Sequence, residues 1–208
     1  MARRKEFDEN AVLEHAVQCF WSHGYEATSV RDLARHMGIA GASLYNAYGD
    51  KRSLYALALD YYVEHSFKER ERRFSQLPPR DAIRGFLNEL VERSIEDPDH
   101  KGCMLVNAAL EVAPYDADFR QVVAGVFAQI EAFLLRSVRA GQLDGSIPTE
   151  HVPADMARLL LGAVIGIRVL ARTRPDAELL RGLVRPLFAM LEPRDASRQV
   201  VLDTLLQS

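Results

Sequence analysis

The chain has 208 residues, 48% of them hydrophobic, which is enough to bury one large core or two small ones. Two cysteines in that length exclude a disulfide framework and fit a reducing, cytoplasmic setting. The net charge of −3 does not advertise a nucleic-acid binder, and within residues 1–52 seven basic and seven acidic side chains cancel, so a DNA-binding reading must rest on where the charges sit.

Helix formers dominate and no alternating strand pattern stands out, so an all-α fold is expected. The start, Met1-Ala2-Arg3-Arg4-Lys5, has no apolar segment after it and does not read as a secretory signal. The apolar stretch from Leu159 to Ala171 is short for a bilayer and is interrupted by Arg168, so no membrane partner is expected.

The first helix is predicted over residues 8–22, with Val12, Ala16, Cys19 and Phe20 inward and Gly24 ending it. Cys19 reads as a core residue. Trp21 and Tyr25 are expected to cover a seam of this small unit. Thr28 is the expected cap of a second helix, whose stripe is Val30, Leu33, Ala34 and Met37. Gly38 supplies the left-handed stop. Ile39 follows as an anchor, and a third short helix carries Leu44 and Tyr48 inward. Two short helices joined by a tight turn are the plan of a helix-turn-helix, whose second helix enters the major groove.

Asp50 caps a long fourth helix, residues 51–74, with Leu54, Leu57, Ala58, Tyr61, Tyr62 and Phe67 inward. Its charged second half, residues 68–73, reads as a solvated face because its signs alternate. Pro78-Pro79 breaks the chain. A fifth helix is predicted over 80–96 and a sixth over 103–112. The seventh, over 117–140, is capped by Asp116, buries Val122, Val126, Phe127, Ile130, Phe133 and Leu134, and is closed by Gly141. The eighth runs over 153–172, with Pro153 in its first turn. The ninth runs over 177–191, where Pro186 should kink or split it. A last helix is predicted over 195–206.

The segment Val12, Ala16, Phe20, Gly24, Thr28, then Leu33-Ala34, Gly38-Ile39-Ala40-Gly41-Ala42-Ser43-Leu44-Tyr45, Tyr48 and Lys51, resembles the DNA-binding domain of TetR/AcrR-type bacterial transcriptional regulators. Two departures are Ala40, where the family usually has a capping Ser or Thr, and Tyr48, where Phe is usual. The resemblance implies a three-helix reading head, residues 1–50, followed by a helical ligand-binding and dimerisation domain, residues 51–208. It implies a regulator, by family habit a repressor, that binds a near-palindromic operator as a homodimer. The DNA-contacting set on this reading is Thr28, Ser29, Arg31, Gly41, Ala42, Ser43, Leu44, Tyr45, Asn46, Tyr48 and Lys51. Ser43 and Asn46 suit base edges, and the Thr28 hydroxyl, Tyr45 phenol and Lys51 ammonium suit phosphates. Arg3-Arg4-Lys5 would form a basic arm, unless it is simply a solvated tail.

Residues 159–167 are apolar nearly all round, and Gly162 and Gly166, four apart, leave a smooth strip on one side. Ordinary interior packing would explain this. The resemblance points instead to a dimer interface of Leu160, Gly162, Val164, Gly166, Ile167, Leu180, Leu183, Val184 and Leu187. It also implies an effector pocket among helices four to seven, with Tyr62, Phe86, Cys103, Asn107, Glu111, Tyr115 and Phe127 as candidates. The Gly102-Cys103 start of helix six resembles a subgroup of such regulators in which this thiol senses electrophiles, although a free cysteine is more often a small hydrophobe. No nucleophile elbow, phosphate-binding Gly loop or metal-ligand spacing is present, so no metal, cofactor or enzymatic role is expected. The alternatives are a helical small-molecule- or partner-binding module with weak DNA binding and, more remotely, an all-helical enzyme.

Overall fold

A computed structural model describes residues 9–193. The basic arm and the helix expected over 195–206 lie outside the described residues. Every regular element among the described residues is a helix.

Three helices form the N-terminal unit: α1 (Glu9–His23), α2 (Val30–His36) and α3 (Gly41–Tyr48). They close over Ala16, Phe20, Leu33, Met37 and Leu44, all buried. Cys19 belongs to this core, and burial pushes its thiol up. The cap of α2 is Ser29 rather than Thr28. Ser29 Oγ accepts from Asp32 N at 3.1 Å, and the Asp32 carboxylate accepts from Ser29 N at 3.3 Å, a reciprocal capping box. Thr28 is instead 2% exposed, its hydroxyl donating to the Gly24 carbonyl at 2.6 Å. The turn after α2 needs Gly38 at φ +65°. There Ile39 N donates to Ala34 O and Gly38 N to Arg35 O, a Schellman turn that satisfies the last carbonyls of α2.

The next helix, α4, continues through three segments: α-helical Lys51–Val63, π-helical Glu64–Lys68 and α-helical Glu69–Phe74. Asp50 caps it through Ser53 N at 2.7 Å. Then come α5 (Pro79–Ile95), α6 (Met104–Glu111), α7 (Ala117–Leu143), α8 (Pro153–Thr173) and α9 (Ala177–Leu191). The α7–α8 pair is the spine. α5 packs on both, α9 on α5 and α8, and α6 bridges α4, α7 and α8. Phe67, Phe74, Phe86 and Phe133 interlock at the centre. Each such fully buried side chain contributes about 1.5–3 kcal/mol from burial alone.

Several expectations need correction. Gly141 does not close α7; the helix runs on to Leu143, and Ile147 Cδ1 lies 2.5 Å from where a Cβ at Gly141 would stand. The glycine makes room for the returning loop. Leu57 and Val122 are exposed, and Val123 takes the inward place on α7. Pro186 does not split α9. On length and composition α7 would pass for a membrane span, against the sequence expectation. Its apolar residues Val126, Ile130, Phe133, Leu134 and Val138 are committed to the core, as expected of an amphipathic spine helix.

Candidate nucleic-acid interface

The third helix is anchored by one residue. Leu44 is 0% exposed, with its neighbours turned out: Ala42, Tyr45 and Asn46 are exposed and Gly41 and Ser43 half-exposed. Leu44, placed among the DNA-contacting residues from sequence, is therefore a foundation and reads nothing. Tyr48, half-buried, also leans on the core. Ala40 precedes α3 with no side-chain cap, so the first-turn amides are left to solvent or to an acceptor from outside. The helix itself carries no charge.

The cations around it are unequal. Arg31 is exposed with no carboxylate in ion-pair range among the described residues. Arg35 is held by Asp32 at 3.0 Å. Lys51 Nζ lies 4.3 Å over the Tyr25 ring and donates to Glu26 O at 3.4 Å. Arg52 is turned away onto Asp116 (2.6 Å) and Asp118 (2.7 Å) at the start of α7. Its hydrogen bonds hold the Asp116 carboxyl down at about 2. Thr28, buried with its hydroxyl already used, is positioned to brace the unit rather than to grip a phosphate. Ser29 is exposed but engaged as the cap of α2.

The N-terminal unit is latched to the rest through Glu111. Its Oε2 accepts from Tyr25 N at 3.1 Å, and a Cβ at Gly24 (φ +83°) would stand 2.8 Å from that same oxygen. The positive φ favours glycine there, and a side chain would displace the Glu111 carboxylate from the latch. Tyr55 completes the joint, its ring packed at a tilt against Tyr25 (4.8 Å) and Phe119 (5.3 Å).

The effector candidates separate. Tyr62, Phe86, Cys103 and Phe127 line one apolar cavity, but its volume is only about 40 Å³. That holds about one water and not an organic effector. Tyr62 Oη donates to Cys103 Sγ at 3.5 Å. Asn107 and Glu111 open instead onto a surface groove of about 220 Å³ between α6 and α8. Tyr115 is 88% exposed and lines neither. A larger cleft, about 720 Å³, lies on the other side of Tyr62, between α1, α4 and α8, and had no representative among the sequence candidates except Tyr62. Among the described residues no group of His, Cys, Asp or Glu is placed to hold a metal.

The interface candidates separate too. Leu160, Val164, Ile167, Leu180, Val184 and Leu187 are buried inside the chain's own core. A helix apolar all round has two sides, and this set is the inner one. Gly162, Gly166 and Leu183 lie on the outer side, beside exposed Leu159, Val169 and Pro186. A Cβ at Gly162, Gly166 or Gly182 would meet nothing within 4 Å.

Residues 12–58 match the family described as bacterial regulatory proteins, tetR family, and residues 79–186 match the tetracyclin repressor-like C-terminal domain. The HTH-type transcriptional regulator YezE of Bacillus subtilis (strain 168) is 33% identical over 198 residues, covering 92% of this chain and 100% of that one. The HTH-type transcriptional repressor ComR of Escherichia coli (strain K12) is 26% identical, covering 86% of each. Among solved structures, a cysteine-replaced form of the TetR family regulator CifR in complex with 26-bp operator DNA superposes with a TM-score of 0.81 at 27% identity, covering 91% of this chain and 100% of that one. The anchored, uncharged third helix, the helical body behind it and these matches agree: the chain belongs to the TetR family of DNA-binding transcriptional regulators and is not an enzyme.

Proposed function

We propose that the protein is a repressor that binds a near-palindromic operator as a homodimer and is released by a small molecule or by modification of Cys103. The observation that carries the DNA-reading part is the geometry of α3. Buried Leu44 fixes the helix, and Gly41, Ala42, Ser43, Tyr45 and Asn46 are left outward on one exposed surface. Asn46 suits an adenine edge and Ala42 a thymine methyl, while Arg31 and Tyr45 suit phosphates. Relatives named as repressors and neighbours bound to operator DNA support the same reading. The division falls at residue 50, with the reading head before it and the effector and dimer domain after it. Work on chromosomal DNA sets it in the cytoplasm.

The dimer would form on the outer strip of α8 and α9, through Gly162, Gly166 and Leu183, where small residues admit a second backbone closely. Two heads then address half-sites about 34 Å apart or a multiple of that. For Cys103, the support is its place before the first turn of α6, half-exposed, with the Tyr62 hydroxyl on its sulfur.

The test is footprinting on the DNA that flanks the gene, with light scattering on the free protein. A protected two-fold site and a dimer are expected, and Gly162→Arg should give a monomer with lost operator binding. A monomeric wild-type protein, or no protected site, would refute the proposal. Mass spectrometry after mild quinone treatment decides the thiol route, and an unmodified Cys103 would end it.

A further inference from the structure

We propose that the cleft between α1, α4 and α8 is a site for a small organic carboxylate, with Arg168 taking the carboxylate and the indole N–H of Trp21 supplying a further donor. This rests on the effector reading above and names the effector's chemical class.

Arg168 sits in the middle of apolar α8 and is 7% exposed. No carboxylate lies within ion-pair range of it among the described residues. Its Nη1 donates to Ser94 Oγ at 3.1 Å, and that hydroxyl in turn donates to the Leu90 carbonyl at 2.7 Å. A buried guanidinium held by one neutral hydroxyl is expensive unless an anion joins it. The neighbouring cations make the shortage worse. Arg70, equally buried, reaches Glu89 at 3.0 Å. The same carboxylate also serves Arg73 (2.6 Å) and Arg93 (3.0 Å). Even with the second partner of Arg73, Glu69, two carboxylates face four guanidiniums, and Arg168 touches neither. Burial first, then the nearby Arg168 charge, push the Arg70 guanidinium below its ordinary value.

A second observation is independent of this charge. Trp21 Nε1 is buried without a hydrogen-bond partner, and Trp21 lines the same cleft. An unmade hydrogen bond of that kind costs about 1–3 kcal/mol, and because the nitrogen has almost no accessible surface where it stands, a small turn of the indole toward the cleft is needed for a bound acceptor to recover it. The cleft has room: about 720 Å³, within the range of sites for organic ligands. Its wall offers flat surface for an apolar body, with Trp21 edge-on to Tyr62 at 5.1 Å and Tyr61 stacked on His65 at 4.0 Å. The π-helical turn of α4 falls at His65 and Ser66, which line the cleft, and such turns collect at functional sites.

The rim chooses among anions. Glu14, Glu96 and Asp97 stand around the opening, and Lys101 is already paired with Asp97 and Asp99. A polyanion would meet that negative ring, whereas a single carboxylate on an apolar body reaches the basic floor at less expense. Trp21 belongs to α1 and Arg168 to α8. A ligand held by both would tie the reading head to the body and so couple occupancy to head position.

Trp21 is the only tryptophan, so its emission reports the site directly in the full-length protein without DNA. Octanoate, octanamide and inorganic phosphate are titrated in turn. Octanoate should give a saturable change, bind at least about tenfold more tightly than octanamide and compete out phosphate, if phosphate binds at all. In Arg168→Met the acid should lose its advantage over the amide, with the melting temperature held or raised because an unpaired buried charge is gone. Trp21→Phe, followed by calorimetry, should weaken octanoate severalfold while keeping its preference over the amide. No saturable response in the wild type, equal binding of acid and amide, or phosphate binding best would each overturn the proposal. Operator binding is not read here, so failure leaves the DNA-binding function standing, and a failed footprint leaves this site standing.

Discussion

The two ends of the regulator handle charge in opposite ways. The outward-facing helix of the N-terminal unit, α3, has no charged side chain, and of the basic residues near it Arg31 and Lys51 have no carboxylate in ion-pair range among the described residues. The cleft behind it is lined by Arg70 and Arg93, which share the carboxylate of Glu89, and by Arg168, which has no carboxylate in ion-pair range among the described residues. The mildly negative total charge hides both facts. What the difference teaches is that the outward face of the head offers shape and uncharged donors, whereas the body holds one buried guanidinium, Arg168, that no acid among the described residues neutralises.

The largest effect that would break this comparison is at Leu44. Leu44→Ala should lower stability by about 2–5 kcal/mol in a urea melt, because it empties the one buried contact of α3. A change within error would mean that the helix is fixed by something else. Next are the two exposed polar residues on α3. Asn46→Ala should shift which operator variant is preferred, by about 1–3 kcal/mol at one base pair, in gel-shift titrations. Tyr45→Ala should weaken all variants alike, and the reverse pattern would reassign the two roles.

A smaller effect sharpens the charge contrast. Arg31→Ala should reduce the slope of log affinity against log salt by about one. Arg35→Ala should change it less, because Arg35 is already spent on Asp32. The smallest effect is on acid stability. Asp116 titrates at about 2 in the folded protein because Arg52 donates to it. Its folded value lies below the ordinary carboxylate range of about 3.9, so the pair stabilises at higher pH and that contribution fades as pH falls from there through about 2. Asp116→Asn, which still caps α7, should lower the melting temperature slightly at neutral pH, converge on the wild type near pH 2, and so flatten the acid limb of the profile.

Much of the fold was legible because helical spacing is a local property. The α9 bounds were readable from the Asp176 cap and the leucine stripe, and the turn after α2 from Gly38 followed by Ile39. The cap of α2 was legible too and was assigned one residue early. Ser29-Val30-Arg31-Asp32 is a capping box on its face, and the structure uses it, leaving Thr28 to bond Gly24. The cleft was much less legible. Arg168 looked like an interruption of an apolar run, and residues 68–73 looked like a solvated face, yet Arg70 is buried. The clue available was a cation inside an apolar helix with no acid three or four residues away.

The sequence by itself determined that there are helices, roughly where they begin and end, and that residues 41–48 form the second helix of a helix-turn-helix, because caps, left-handed stops and apolar periodicity all act within a few residues; the resemblance of its motif supplied the family. Only the tertiary structure decided which side of α8 and α9 is spent on the chain's own core, that Glu111 latches the head to the body, and that Trp21, Arg70 and Arg168 meet at one cleft. Those outcomes depend on how helices far apart in the chain lie against one another, and burial or pairing of a charge is settled by that arrangement and not by its neighbours in sequence.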